Sequence, residues 1–387
     1  MGLRLSLKVL LPCVVLAAVA CVQIGKGVQS LVWREDRALD LNMRFQEVHL
    51  FWGITLETEK TMPAGVFTRW DWENYLPHSH IIGLLLAPPF DWQVTRFYFA
   101  AISLAALCAL LYTCHRLLPK PAPPVWISAP CVFACSNIQT SLAFGQYSIL
   151  VALCLTASVA RIKAGDAIGS AALLVVAAVK PVLALPLFVL LFTFRAWKIV
   201  LPAAGAIAAL NAIGFLLSDK AFGEHLQTYS FRSALYMGRG FGLNTAFALI
   251  GLPVTWSKYL GLAITLAGAL WLSGRYPDYY KRDALRLAAI ACFAGRTWFP
   301  AYTHDNLLLI PLFYWWIGRA LGRPSRLASL TAAAVGLSLW IPGRWMMMPE
   351  IAALQWGTWL FAVFMLIRLS EQTAADSTRT ASSSPPA

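Results

Sequence analysis

Asp40-Leu-Asn-Met-Arg-Phe-Gln-Glu-Val-His-Leu-Phe-Trp-Gly53 stands inside the one long polar stretch of a chain otherwise made of apolar runs. Met43, Val48, Leu50, Phe51 and Trp52 supply an apolar side, and Arg44, Gln46, Glu47 and His49 a polar one, so the segment predicts a helix at a membrane interface. Asp40 is expected at its N-cap. There a carboxylate reads either as a simple helix cap or as a general base held just outside a bilayer. The enclosing stretch, Ser30 to Pro89, carries eight of the eighteen carboxylates: Glu35, Asp36, Asp40, Glu47, Glu57, Glu59, Asp71 and Glu73.

Outward from this stretch the composition is that of an all-α polytopic membrane protein. Of 387 residues, 59% are hydrophobic and only 13% charged, against about 25% charged in soluble domains. The formal charge of +13 does not indicate a nucleic-acid partner, because the basic residues fall in small groups between apolar runs. These are His115-Arg116 with Lys120, Arg161 with Lys163, Arg195 with Lys198, Arg275 with Lys281, Arg282 and Arg286, and Arg319, Arg323 and Arg326. Such grouping is expected of cytoplasmic loops. The eight cysteines lie in or beside hydrophobic runs without metal-ligand spacing, and read as small apolar side chains.

Hydropathy predicts about twelve spans, near 7–24, 95–114, 124–138, 146–161, 166–179, 182–194, 199–216, 255–274, 284–297, 304–318, 327–342 and 355–368. They form one domain over residues 1–370, followed by a Ser/Thr/Ala-rich tail, 371–387, expected to be disordered and cytoplasmic. With the N-terminus also cytoplasmic, every basic group falls inside and the loop 25–79 falls outside. Breaks then gather on the outer side: the short apolar piece His80–Pro89, Gly145-Gln146, Lys180-Pro181, and the turn Trp298–Asp305.

These breaks assemble a constellation of Asp40, the Tyr75–His80 segment, Gln146, Lys180, Arg296, His304 and Asp305. Ionisable groups at membrane depth mark substrate or ion paths. Each also has a plainer reading: Lys180 as a snorkelling or helix-end charge, Gln146 as an interhelical hydrogen bond, His304 and Asp305 as caps of a helix beginning at Asn306, and Arg296 as a surface charge.

The order of these elements resembles the glycosyltransferase family 87 membrane proteins, the polyprenyl-phosphate-mannose-dependent type within the type-C glycosyltransferases, over about residues 10 to 320. The family's first-loop Asp-Phe-x-x-Tyr is here Asp40-Leu-Asn-Met-Arg44, and its Tyr-Pro-Pro is Tyr75-Leu76-Pro77, followed by His78 and His80. Its Gly-Gln-x-Asn-Leu-Leu is Gly145-Gln146-Tyr147-Ser148-Ile149-Leu150, and Ala178-Val179-Lys180-Pro181 is close to its form. Asn244-Thr-Ala-Phe-Ala-Leu249 and Thr297-Trp-Phe-Pro-Ala-Tyr-Thr-His304-Asp305-Asn306 are similar to two further elements.

The resemblance implies a type-C bundle of about twelve helices whose long first extracytoplasmic loop carries interfacial helices. It implies inverting transfer of a hexose, mannose-like, or of a pentose, from a polyprenyl-phosphate sugar to a lipid or glycan acceptor. Asp40 would be the general base, with Asp36 as the fallback. Arg44, Tyr75, His78, His80, Gln146, Lys180, Arg296, His304 and Asp305 would bind substrate. No cofactor is required and no metal ligand is assigned, though Asp36 and Asp71 leave a divalent ion beside Asp40 open. The expected setting is a multi-pass protein of a cell membrane, of the bacterial inner-membrane type. The alternative is a transporter or flippase of lipid-linked sugars, which shares broken helices and intramembrane charges.

Overall fold

Among the described residues four helices are long and apolar enough to cross a bilayer, and one further pair of apolar helices is sharply bent at its break. The computed structural model describes residues 7–34, 38–51, 75–120, 122–217, 223–224, 242–243, 246–247, 250–277, 283–299, 301–322, 324–342, 345 and 348–382. Every regular element among them is helical. The four are α1 (Leu7–Trp33), α4 (Trp92–Leu117), α10 (Trp197–Leu217) and α15 (Pro349–Ser382). On α1, Leu10, Leu11, Val14, Val15, Val19 and Val22 are exposed, as residues facing lipid must be.

The twelve spans expected from hydropathy are not seen as twelve full-length helices. The remaining elements include α5 (Val125–Phe133), α6 (Ser136–Phe144), α7 (Ser148–Lys163), α8 (Ala167–Ala177) and α9 (Pro181–Thr193). After α11 (Val254–Arg275) come α12 (Ala284–Thr297), a 3-10 helix (Thr303–Leu309), α13 (Ile310–Gly322) and α14 (Arg326–Trp340). The apolar helices α8, α9 and α14 have 11, 13 and 15 residues, about 16–22 Å at 1.5 Å per residue. A bilayer core is about 30 Å thick. The pair α6–α7 would count as a fifth span, but it bends by 115° at Gly145–Tyr147. The last helix runs to Ser382, into the stretch expected as a disordered tail. Residues 371–382 hold no Gly or Pro to stop it; Pro385 and Pro386 come later.

Two short helices from the polar stretch, α2 (Leu39–Phe51) and α3 (Pro77–Leu86), lie against this frame. The chain enters α2 through Ala38, left-handed at φ 59°, whose N–H donates to Ala143 O at 2.9 Å. Leu41, Phe45 and Val48 are buried. Leu41 seats directly on Gly145, itself left-handed at φ 69°, so that any Cβ there would collide with the Leu41 side chain. The open end of α1 is closed by α4, where the Arg96 guanidinium donates to the carbonyls of Leu31 and Arg34, and Gln93 Nε2 to that of Val32 at 2.8 Å.

Helix direction separates two ends of the bundle. α7 has 16 residues, roughly 24 Å, between Ser148 and Lys163. Its far end meets other groups of the basic set: Lys163 lies within electrostatic reach of Asp283, Arg286 stacks on Trp315 at 4.9 Å, and His115 Nδ1 meets Tyr314 Oη at 3.2 Å.

Gly145→Ala should therefore destabilise the detergent-purified protein by more than the roughly 1–2 kcal/mol of a left-handed alanine, since Leu41 must also move. Gly165→Ala, equally left-handed at φ 78° but with open space around it, should show the backbone cost alone. Thermal denaturation of the two variants compares them; equal losses would refute the Leu41 contact.

Candidate active site

Three helix breaks meet at one ammonium group. Lys180 ends the turn between α8 and α9, with Pro181 at the first position of α9, where its missing N–H leaves no bond unmade. Its Nζ donates to Gln146 Oε1 at 2.7 Å, to Ser148 Oγ at 3.1 Å and to Asp305 Oδ1 at 2.9 Å. Gln146 and Ser148 belong to the α6–α7 bend, and Asp305 to the 3-10 helix. Ser148 Oγ also donates to Asp305 Oδ1 at 2.6 Å. The other carboxylate oxygen, Oδ2, accepts the Tyr302 N–H at 3.2 Å and lies 3.6 Å from His304 Nε2. The His304 ring stacks on Tyr302, with centroids 5.5 Å apart.

An ammonium has three donors, and all three of Lys180's are used. The Lys180 and Asp305 side chains are only 11% and 6% exposed, so the pair is a buried ion pair whose hydrogen bonds are complete on the lysine side. Gln146 presents its amide Nε2, which has no acceptor among the described residues. The α9 turn is held in register by Trp298 Nε1 donating to Val182 O at 2.7 Å, and by Gly295, where a Cβ would strike the Leu183 carbonyl.

Asp40 faces this cluster from α2. It occupies the second position of the helix, not the N-cap that local spacing predicted, because Ala38 makes the turn into the helix. Its carboxylate is half-buried and makes no hydrogen bond or ion pair with any described residue. It lies within electrostatic reach of Lys180, His304 and Arg44. Asp40, Arg44 and Glu47 recur at i, i+4 and i+7, one face of the helix. Arg44 pairs with Glu47, and its guanidinium lies 4.1 Å over the Tyr75 ring. Burial opposes the Arg44 charge, and Glu47, Tyr75, Tyr147 and Asp40 together more than offset this, so the pKa lies above the ordinary arginine value.

The other expected site residues are placed differently. His78 is buried on α3, with Nε2 2.9 Å from Ala178 O and Nδ1 3.1 Å from Asn211 Oδ1, and so stitches α3 to the α8–α9 turn and to α10. His80 is buried on the same helix. Arg296 is 2% exposed, not a surface charge; its Nε donates to Asn306 Oδ1, and it lies over the Trp359 ring at 5.6 Å. Asp36, Asp71 and Asn244 lie outside the described residues. Among those described, no three His, Cys, Asp or Glu side chains gather to hold a metal ion. Glu47, Asn306 and the hydroxyl of Ser148 were not singled out from the sequence as site residues. For Ser148 a signal was present: it stands where the related motif has Asn, another hydrogen-bonding side chain.

Apolar spans around a buried charged cluster define a multi-pass membrane protein with a polar site at its helix breaks. Residues 77–300 match the family model described as Glycosyltransferase family 87, more than half of the 387 residues. The chain belongs to glycosyltransferase family 87, and is a membrane glycosyltransferase. The match includes Gln146, Lys180 and Arg296 but stops short of Asp40, Tyr75, His304 and Asp305. No curated protein and no solved structure matches the chain.

Removing one partner of a buried ion pair strands the other charge, at about 3–5 kcal/mol. Lys180→Met and Asp305→Asn should each lower thermal stability on that scale, and the double variant should lose clearly less than their sum. Additive losses would show that the two groups do not act as a pair.

Proposed function

We propose that the enzyme transfers a sugar from a polyprenyl-phosphate donor to an acceptor hydroxyl on the extracytoplasmic side of the membrane, with inversion at C1 and Asp40 as the general base. The observation that carries this reading is the Asp40 carboxylate, unpaired among the described residues and within electrostatic reach of Lys180 and His304. A lipid-linked donor remains in the bilayer and offers its phosphate and sugar at the rim, where the helix breaks lie. The basic end of the bundle is the far one, which the positive-inside rule makes cytoplasmic.

In the reaction the acceptor hydroxyl gives its proton to Asp40 as its oxygen bonds to C1, and the C1–O bond to phosphate breaks with its electron pair on the departing oxygen. One negative charge thereby leaves Asp40 and one appears on the polyprenyl phosphate. His304 and the Gln146 amide meet the phosphate oxygens, while Lys180, its own donors engaged, acts from behind through its field in a site of low dielectric. Arg296, tied to Asn306, supports that wall. Arg44 and Tyr75 flank the base. His78 and His80 act by fixing α3 and the Lys180 turn. The sugar is a mannose-like hexose or a pentose, and the acceptor a lipid or glycan.

Purified enzyme with radiolabelled polyprenyl-phosphate sugars tests this. Positioned general bases contribute about 10²–10⁴-fold, so Asp40→Asn should lose transfer by at least the lower figure while still binding donor, and Asp40→Glu should keep part of it. Full turnover by Asp40→Asn would remove Asp40 from the mechanism.

A further inference from the structure

Beside the α2 face that carries Asp40, Tyr147 keeps a buried hydroxyl that no described residue answers. The residue is 3% exposed, in the α6–α7 bend directly after Gln146, and its ring packs against Phe99 with centroids 5.7 Å apart. Its Oη is fully buried and has no hydrogen-bond partner among the described residues. It lies within electrostatic reach of Arg44, Glu47 and Tyr75, on the same face of α2 that carries Asp40. A phenylalanine would fill the same space without stranding a polar group, and an unmet buried hydroxyl costs about 1–3 kcal/mol. Arg44 is neutralised by Glu47 and stacked on Tyr75. The surroundings thus combine aromatic faces with an Arg44–Glu47 pair of no net sign, beside the Asp40 carboxylate on the same helix face, which suits a neutral polyol ring better than a phosphate.

We infer that Tyr147 is a substrate-binding residue whose hydroxyl bonds a ring hydroxyl of a sugar, in a subsite shared with Arg44, Glu47 and Tyr75. The inference rests on the glycosyl-transfer reading and names the part of the substrate that this side of the site holds. The sugar hydroxyl belongs either to the donor or to the acceptor.

Tyr147→Phe keeps the ring against Phe99 and removes only the hydroxyl. Without ligand the variant should melt no lower than wild type; a fall of several degrees would show that the hydroxyl serves the fold, and would end the proposal. Binding is then titrated with a polyprenyl-phosphate mannose and with bare polyprenyl phosphate. If the hydroxyl meets the donor sugar, Kd for the mannose lipid rises roughly two- to tenfold, as for one lost hydrogen bond, and Kd for the bare lipid is unchanged. If it meets the acceptor, both Kd values hold and transfer of labelled mannose to acceptors in native membranes falls by a similar factor. Binding and transfer equal to wild type overturn the inference. A wild-type protein that neither prefers the mannose lipid nor transfers from it removes the donor reading instead, and this one with it.

Discussion

The bond set around Lys180 is the constraint on which the rest of the site depends. An ammonium deep among apolar helices is tolerated only when its charge and its donors are satisfied. Here one carboxylate balances the charge, and three oxygens from two different helix breaks take the N–H groups of a lysine that stands at a third. Each break alone would expose unpaired backbone in lipid. Joined at one point, they form a polar island whose walls are helices, the setting in which irregular backbone survives at membrane depth.

Asp40 comes to this island from outside it. The short helix that carries Asp40 is fastened by the Ala38 N–H to Ala143 and by Leu41 on Gly145. Both contacts land on the same break that supplies Gln146 and Ser148. The Asp40 carboxylate and a charged wall borne by separate elements therefore share one anchoring point. Among the described residues nearby, the other carboxylates are engaged: Asp305 by Lys180 and Glu47 by Arg44. Asp40 makes no hydrogen bond or ion pair with a described residue, and that difference, more than its place in the chain, separates it from Asp305 and Glu47.

The outer shell of the site is built mainly of residues that hold it in position. His78 ties α3 to the Lys180 turn, and Arg296 draws on Asn306 and on Trp359 of the last helix. Trp359 is in turn fixed by its Nε1 donating to Ser338 Oγ at 2.8 Å, and Gln355 Nε2 donates to Ser338 O at 2.7 Å. The C-terminal helices, which the family match does not reach, thus brace the wall opposite Asp40.

What the linear order of residues determined by itself was local. Long apolar runs require helices in a bilayer, and the breaks at Gly145-Gln146, Lys180-Pro181 and Trp298–Asp305 could be read from Gly, Pro and charge, which act on their own backbone. The membrane class and the family resemblance followed from these. Only the tertiary structure decided which breaks touch, that Asp305 and Ser148 complete Lys180, that Arg296 is enclosed, and that Asp40 lies within the helix with its carboxylate unspent. Hydropathy also counted spans where the chain bends back, because a one-dimensional average carries no direction. The partners concerned stand up to 157 positions apart, and a hydrogen bond depends on distance through space, which no local periodicity encodes.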